Sequence, residues 1–595
     1  MDNILLLETR HRYKIPPIGL MKLAYYHNHI RGDFVWFSKG RLPSALPDPV
    51  KSDIRGSAYY AKRFANNLSG YLERADEAIR TSQWSHIYIA TMFTFEWDEI
   101  ISLIEYAKTL TDDMSKIHVG GIAATLMSME IERATGIRPV IGLLDDSGQL
   151  GYDDGVCIDA LIPDYSILEH VEYEYPAGNS YFLTATRGCG NRCSFCAVQK
   201  LEPEYRDYLP IVPRIEAIRT LYGEKKDLCL LDNNVLKSVN FRQIIKDIRQ
   251  AGFERGAFWT NPLTGKLNKR RVDFNQGLDA NLFTEQKASL LGSIALDPCH
   301  IAFDHIDDQE KYLRAVDLAA KYDIRNISSY LLYNTSKFKG KGTARPADTP
   351  RDLYGRMRIN AEYCWKTNDK RAKDGLAPID VFSFPMRFIP LTNKNRIFIG
   401  DSWTPKLLDG IRTMLQPSRG GVYPTPDYFN YMYGTSYDEF YETLLMPFQY
   451  VRHKGKPAFK YPDGQHPYAA WLSAIGQWKT LFQSLDSDGK ERFASCIADN
   501  KYTMETYYQI NSDTQRCLYL HYFVGGELVN LLESLQSRDA SSFEAARGYI
   551  LHDCPALFWC SLEMLSKLKK GQSKLRKLIR LMIPVVKGQQ KLEAV

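Results

Sequence analysis

The sequence predicts an α/β protein whose last third is mostly helical. Short apolar runs rich in β-branched and aromatic residues alternate with helical patterns as far as residue 392. Glycine, aspartate or asparagine follows most of these runs, as at the end of a parallel strand that turns into a helix. After residue 392 helical periodicity dominates.

Length and composition restrict the class of protein. A chain of 595 residues predicts three or four domains, and 44% hydrophobic with 25% charged residues is typical of globular proteins. No apolar run approaches the roughly 20 residues that span a bilayer, and the first residues do not resemble a signal peptide. Eleven scattered cysteines favour a reducing compartment, so we predict a cytoplasmic protein.

Residues 1–140 are predicted to form a doubly wound, Rossmann-like domain. Strand-like runs at 3–7, 86–90 and 116–119 are separated by helical patterns, and the third run ends at Gly120 and Gly121. Residues 141–179 contain glycines and five aspartates, and we interpret them as a solvated linker. The aspartates are Asp145, Asp146, Asp153, Asp154 and Asp159.

Residues 180–392 are predicted to form a parallel α/β core of six units. Its strands are predicted at 181–186, 227–231, 272–275, 300–304, 327–333 and 381–388. Six such units would form a partial barrel. In parallel barrels the functional groups gather at the carboxyl ends of the strands.

The first of these strands runs into the stretch Arg187-Gly188-Cys189-Gly190-Asn191-Arg192-Cys193-Ser194-Phe195-Cys196. A structural zinc site usually takes four ligands as two close pairs, and a disulfide set needs an oxidising compartment. Three cysteines within eight residues favour an iron–sulfur cluster with one iron free to bind another molecule.

This spacing, C-x3-C-x-aromatic-C with Phe195 as the aromatic residue, resembles the signature of the radical S-adenosylmethionine (radical SAM) superfamily. The resemblance implies a [4Fe–4S] cluster on Cys189, Cys193 and Cys196. It also implies S-adenosylmethionine bound at the fourth iron, reductive cleavage to a 5′-deoxyadenosyl radical, and a reductant protein of the flavodoxin or ferredoxin type. The partial (β/α)6 barrel at 180–392 is the core fold of that superfamily.

The first domain resembles the cobalamin-binding-like domain of one branch of the superfamily. The stretches PPIGL at 16–20 and HVGGIAAT at 118–125 carry this likeness. The D-x-H-x-x-G motif of that domain is missing, and His118 has no acidic partner in sequence. We therefore predict a degenerate relative without cobalamin, while a cobalamin-dependent methyltransferase stays open as an alternative.

Polar residues follow several predicted strands and are candidates for binding the cofactor. Asn and Asp in such positions also cap helices, but a mouth lined with polar groups suits a polar cofactor. The resemblance implies that the group after the second strand meets the methionyl amine. The candidates are Asp232, Asn233, Asn234, Gln276, Asp304 and Asn334.

Two basic segments interrupt the core. The first contains Lys266, Lys269, Arg270 and Arg271, and the second contains Lys337, Lys339, Lys341 and Arg345. The second begins at the carboxyl end of a strand and should rim the site. A run of charges is more often a solvated loop, but a basic rim suits an anionic substrate such as a nucleotide or nucleic acid.

Residues 393–595 are predicted to form a helical domain. Cys496, Cys517, Cys554 and Cys560 are widely spaced, and we interpret them as structural thiols. The basic amphipathic tail from Leu568 to Met582 could dock by its apolar stripe or touch nucleic acid or a membrane. The whole chain predicts a radical SAM enzyme with an unidentified substrate. A non-catalytic iron–sulfur or zinc protein that binds a partner is the rival hypothesis.

Overall fold

The computed structural model describes residues 2–44, 68–81, 83–340, 343–454 and 469–583. The chain divides into two compact units. Unit 1 comprises residues 1–346, 370–381 and 386–398, and unit 2 comprises the remaining residues. The predicted boundaries at 140 and 180 both lie inside unit 1, and the division of this unit into two domains stays a prediction.

Unit 1 begins with a four-stranded parallel sheet in the order β2-β1-β3-β4. Ile4 to Leu7 of β1 are fully buried, because helices cover both faces of a doubly wound sheet. The strands are β1 Asn3–Glu8, β2 Phe34–Lys39, β3 His86–Thr91 and β4 Ile117–Gly121. The helices of this region are Ile18–Tyr25, the π-helical Tyr26–Arg31, Leu68–Arg80, Trp97–Lys108, Ile122–Leu126 and Ser128–Thr135. The sequence analysis missed β2.

Residues 141–179 contain 3-10 turns at Ile158–Ala160 and Ser166–His170 but no α-helix or strand. Asp146 and Asp153 are exposed, as expected for a solvated segment. Asp159 departs from that expectation, because it pairs with Lys22 at 2.9 Å and also with Arg187. The second half of this segment is therefore part of the packed structure.

All six strands predicted for the core are present. Strands β5, β6 and β9 form one parallel sheet in that order, and β10, β11 and β14 form another. Isolated parallel bridges from Val272 to Leu296 and from Leu278 to Ile301 connect the region of β9 to that of β10. The strands are β5 Ser180–Leu183, β6 Asp227–Leu230, β9 Val272–Phe274, β10 Cys299–Ala302, β11 Asn326–Tyr333 and β14 Asp380–Arg387.

Two hairpins interrupt this pattern at opposite ends of the strands. The first, β7 Phe258–Thr260 with β8 Leu267–Lys269, precedes β9 and therefore lies at its amino end. The second, β12 Phe338–Gly340 with β13 Thr343–Arg345, follows the carboxyl end of β11. The helices of this region are Val198–Leu201, Val212–Tyr222, Phe241–Gln250, Glu285–Leu291, Gln309–Lys321 and Pro350–Lys373.

Unit 2 is helical throughout the residues described beyond 399. Its last helix, Gln572–Met582, buries Leu578, Leu581 and Met582, so the predicted amphipathic tail docks by its apolar face. Cys554 and Cys560 are buried, and Cys496 and Cys517 are half-buried. The helices are Pro405–Leu415, Pro426–Tyr433, Tyr437–Leu445, Phe448–Lys454, Ala469–Ser484, Ser487–Cys496, Met504–Gln509, Asp513–Leu520, Gly526–Arg538, Ala540–Gly548, Pro555–Ser566 and Gln572–Met582.

None of the helices in the described ranges is both long enough and apolar enough to cross a lipid bilayer.

Candidate functional site

The segment 189–196, here called the cysteine loop, leaves the carboxyl end of β5. Gly188 makes the turn into it with φ of +72°, and a Cβ at this position would come within 2.2 Å of the Glu204 carbonyl oxygen. Both the left-handed backbone and the close approach require glycine. The sequence therefore fixes the direction in which the loop starts.

The three cysteines of this loop are free and half-buried. The Cys189 sulfur accepts the backbone N–H of Asn191 at 3.4 Å and the side-chain amide of Asn234 at 3.6 Å. Burial raises the pKa of Cys196, the backbone N–H of Val198 lowers it, and the neighbouring Cys189 and Asp304 raise it. Sulfur atoms that receive N–H donors are typical of iron–sulfur ligands.

Asp232 lies directly beneath the start of the loop and is 1% exposed. Its carboxylate accepts the backbone N–H of Ala185 at 3.0 Å, the backbone N–H of Thr186, and the Thr186 hydroxyl at 2.7 Å. Burial raises the pKa of Asp232 to about 6, although these hydrogen bonds lower it. The position predicted to contact a cofactor thus anchors the backbone that leads into the cysteine loop.

Asn233 supports the loop through a second carboxylate. Its side-chain amide donates to Glu202 at 2.7 Å, and the same Glu202 oxygen accepts the backbone N–H of Gly188 at 2.7 Å. The other oxygen of Glu202 pairs with Arg187 at 2.8 Å. Glu202, which sequence analysis did not single out, therefore ties the turn at Gly188 to the end of β6.

Asn234 is 3% exposed and lies against the loop. Its amide nitrogen donates to Cys189, as described above, and to Asp279 at 3.4 Å. Its carbonyl oxygen is buried without a hydrogen-bond partner. A buried acceptor of this kind beside the Cys189 sulfur fits a donor supplied by a bound molecule.

The remaining strand-end candidates occupy different surroundings. Gln276 is exposed and donates to Asn275 at 3.3 Å. Asp304 is half-buried and close enough to Cys196 to influence its pKa. Asn334 is fully buried with φ of +68°, and its amide donates to the carbonyls of Phe388 and Phe398, each at 3.1 Å. The Asn334 amide thus links the end of β11 to the segment after β14.

The basic hairpin β12–β13 packs directly on the cysteine loop. The backbone N–H of Ser194 donates to the Lys339 carbonyl at 2.8 Å, and the Lys339 N–H donates to the Ser194 hydroxyl at 3.0 Å. Phe195 meets Phe338 edge-on, with ring centroids 5.6 Å apart. Residues that follow β11 thus contact the cysteine loop through both its backbone and its aromatic side chain.

The charges of the two basic segments are used differently. Lys337 and Lys339 are exposed beside the cysteine loop, whereas Arg345 pairs with Asp308 at 2.5 Å. Lys341 lies outside the described residues. In the first segment Lys266 and Lys269 are exposed, Arg270 pairs with Glu224, and Arg271 pairs with Asp297 at 3.2 Å. Because this segment lies at the amino end of β9, it does not rim the site.

The donor set fits a cluster better than a single ion. Within the described part of the chain, no three His, Cys, Asp or Glu side chains converge on one metal position. Ligands of a cubane cluster each bind a different iron and therefore stand farther apart than the ligands of one ion. Three thiols on one loop, with N–H donors directed at Cys189, are the donor types that such a cluster takes.

The first sheet carries histidines at both of its ends. His118 lies near the amino end of β4. Its ring forms a hydrogen bond with His86 at 2.9 Å and stacks on Tyr88, so it does not lie at the carboxyl edge of the sheet. His11 follows β1 at the carboxyl edge and is 44% exposed. Its Nδ1 lies 3.4 Å from Glu96. Sequence analysis missed His11, because its acidic partner is far away in the chain.

No family model matches this chain, and no curated protein matches it. Among solved structures, it is similar to the apo, selenomethionine-labelled cobalamin-dependent S-adenosylmethionine radical enzyme OxsB. The two chains have 12% identical residues and a TM-score of 0.38, and the match covers 97% of this chain and 80% of that chain. A likeness at this level carries no argument about function.

Proposed function

We propose that this protein is a radical SAM enzyme. The observation that carries the proposal is the cysteine loop at the carboxyl ends of the strands, with a buried, unpartnered carbonyl oxygen of Asn234 beside Cys189. When bound, a [4Fe–4S] cluster carrying S-adenosylmethionine at its open iron supplies the electron that cleaves the sulfonium to methionine and a 5′-deoxyadenosyl radical. Cys189, Cys193 and Cys196 would hold the other three irons.

The residues around the loop would bind and orient the cofactor. Asn234 Oδ1, which is buried without a hydrogen-bond partner, would accept a hydrogen bond from the α-ammonium of S-adenosylmethionine. Gln276 and Asp304 offer polar groups at neighbouring strand ends. Phe195 packed on Phe338 would restrict access of water and oxygen to the cluster.

The test is anaerobic reconstitution with iron and sulfide, followed by iron and sulfide analysis and an assay for 5′-deoxyadenosine with dithionite. We expect about four irons per chain, the content of one such cluster, and cofactor cleavage that is lost when a loop cysteine is replaced by alanine. Replacing Cys554 with alanine is the matched control, because this buried thiol lies in unit 2. Binding of zinc without sulfide would support the rival, non-catalytic protein and refute the proposal.

The substrate would be anionic, such as a nucleotide or nucleic acid. The exposed Lys337 and Lys339 lie beside the cysteine loop and would attract it. Double replacement by glutamate, K337E/K339E, should weaken binding of a single-stranded oligonucleotide and reduce its salt dependence. The matched control is K266E/K269E on the other hairpin, and equal losses in both variants would count against this substrate class.

A cobalamin-dependent methyltransferase is the second candidate, and His11 is the observation that favours it. An exposed imidazole backed by a carboxylate is the arrangement that orients a metal-ligating histidine. Burial raises the pKa of Glu96, and the nearby His11 lowers it. The test is corrin absorbance after incubation with hydroxocobalamin. The spectrum of a histidine-ligated corrin should appear in the wild-type protein and be absent in H11A; no bound corrin refutes this candidate.

A further inference from the structure

A carboxylate that follows β9 connects the cysteine loop to the end of β6. Asp279 is 9% exposed, and its Oδ2 accepts the side-chain amides of Asn191 at 2.8 Å and of Asn234 at 3.4 Å. Its Oδ1 accepts the backbone N–H of Asn281 at 3.0 Å, which fixes the orientation of the carboxylate. The two amides that Oδ2 holds are 88 and 45 residues away in sequence.

Both amide-bearing residues also direct an N–H at the same sulfur. Asn191 does so through its backbone and Asn234 through its side chain. One hydrogen of the Asn234 amide can point at Asp279 while the other points at Cys189. Capping of the turn at 280–282 needs only Oδ1, so it does not account for the contacts of Oδ2.

We propose that Asp279 is a positioning residue that holds Asn191 and Asn234 against Cys189 and thereby sets the reduction potential of the cluster. This inference rests on the proposed function. Hydrogen bonds to cluster sulfurs stabilise the more negative, reduced state and raise the potential. Without the carboxylate, the Asn234 amide is free to turn away from the sulfur, and the loop loses its link to β6.

The test is a redox titration of the reconstituted protein by electron paramagnetic resonance, without S-adenosylmethionine. In N234A the ratio of reduced to oxidised cluster at a fixed potential should fall about tenfold, equivalent to about 59 mV for one electron. N191A should change it in the same direction by less, because its backbone N–H remains. The matched control is N268A, whose amide donates to the Lys266 carbonyl in the hairpin at the amino end of β9, and its potential should equal that of the wild type.

The carboxylate itself is tested by release of iron to a chelator. D279A should release iron about fivefold faster than the wild type, the change expected for one net hydrogen bond. The increases in the rate of iron release caused by N191A and by N234A should not add in the double variant, because both amides are held by the Asp279 carboxylate. Circular dichroism of each variant separates these effects from unfolding.

The outcomes separate this inference from the proposed function. A wild-type protein that takes up no cluster refutes both. A wild-type protein that holds a cluster and cleaves S-adenosylmethionine, together with unchanged potentials in N234A and N191A, refutes only the role of Asp279. Unchanged iron release in D279A refutes that role as well.

Discussion

Replacing Asp232 with alanine should loosen the backbone that leads into the cysteine loop. The substitution leaves the backbone N–H groups of Ala185 and Thr186 buried without an acceptor. Each buried, unsatisfied donor costs about 1–3 kcal/mol. The carboxylate also has an unfavourable burial term, since its pKa is raised from 3.8 to about 6, and the variant loses that term.

The penalty for two unsatisfied donors is partly offset because the variant no longer buries a carboxylate. We therefore expect D232A to lower the free energy of local opening by about 2 kcal/mol. Local opening of that size corresponds to roughly 30-fold faster hydrogen exchange at these two amides. The assay is hydrogen–deuterium exchange of the peptide that contains residues 185 and 186. The control is D227A, because Asp227 begins the same strand whose end carries Asp232.

Exchange at 185 and 186 in D232A within threefold of the wild type would refute this account of Asp232, since even one unsatisfied donor of about 1 kcal/mol should exceed that change. A uniform increase in the rate of hydrogen exchange across unit 1, in both D232A and D227A, would indicate general destabilisation instead. We also expect D232A to retain less iron after reconstitution, because its loop is less well anchored.

Three further predictions follow from the structure. G188A should lower the melting temperature and abolish iron retention. Gly151 also has a positive φ, but a Cβ added there would meet only open space, so G151A should lower the free energy of unfolding by only about 1 kcal/mol. Burial lowers the pKa of His27 and of His118 to about 4, so both are neutral in the fold at pH 7. The stability that their neutral forms contribute is complete above pH 6.5 and is lost as the pH drops to 4, by about 3 kcal/mol in all for His27. About 2 kcal/mol of that loss falls between pH 7 and pH 5, and urea unfolding at these two pH values measures it. Replacing His27 with glutamine should flatten that dependence, and an unchanged slope would contradict it. Serine at each cysteine of the loop in turn should abolish cofactor cleavage while leaving the melting temperature of the cluster-free chain within about 1 °C of the wild type, because a serine hydroxyl is close in size to a thiol and accepts the same N–H donors.

The sequence predicted the strands of the core well because each is a short apolar run that ends at a polar or glycine turn. It missed β2, whose run at 34–39 follows a π-helical turn that the periodicity of a regular helix does not signal. The cysteine loop was evident from spacing alone. Local patterns of this kind are what a single sequence records most directly.

The roles of polar residues around the loop were harder to predict, because they depend on partners that are distant in the chain. Asp232 and Asn334 follow strands, as cofactor contacts would, yet both are buried and bonded to protein groups. Asn191 lies between two cysteines and gave no signal of its own. Its link to Asp279 spans 88 residues and becomes visible only once β9 is placed beside β6.

The pairing of Ser194 with Lys339 has a consequence for how the protein matures. These residues are 145 positions apart, so a nascent chain cannot form this contact until the hairpin after β11 has been synthesised. A cluster of the kind proposed above would therefore form on a chain that already includes this hairpin, and the segment 189–196 moved alone into another scaffold would lack the contact.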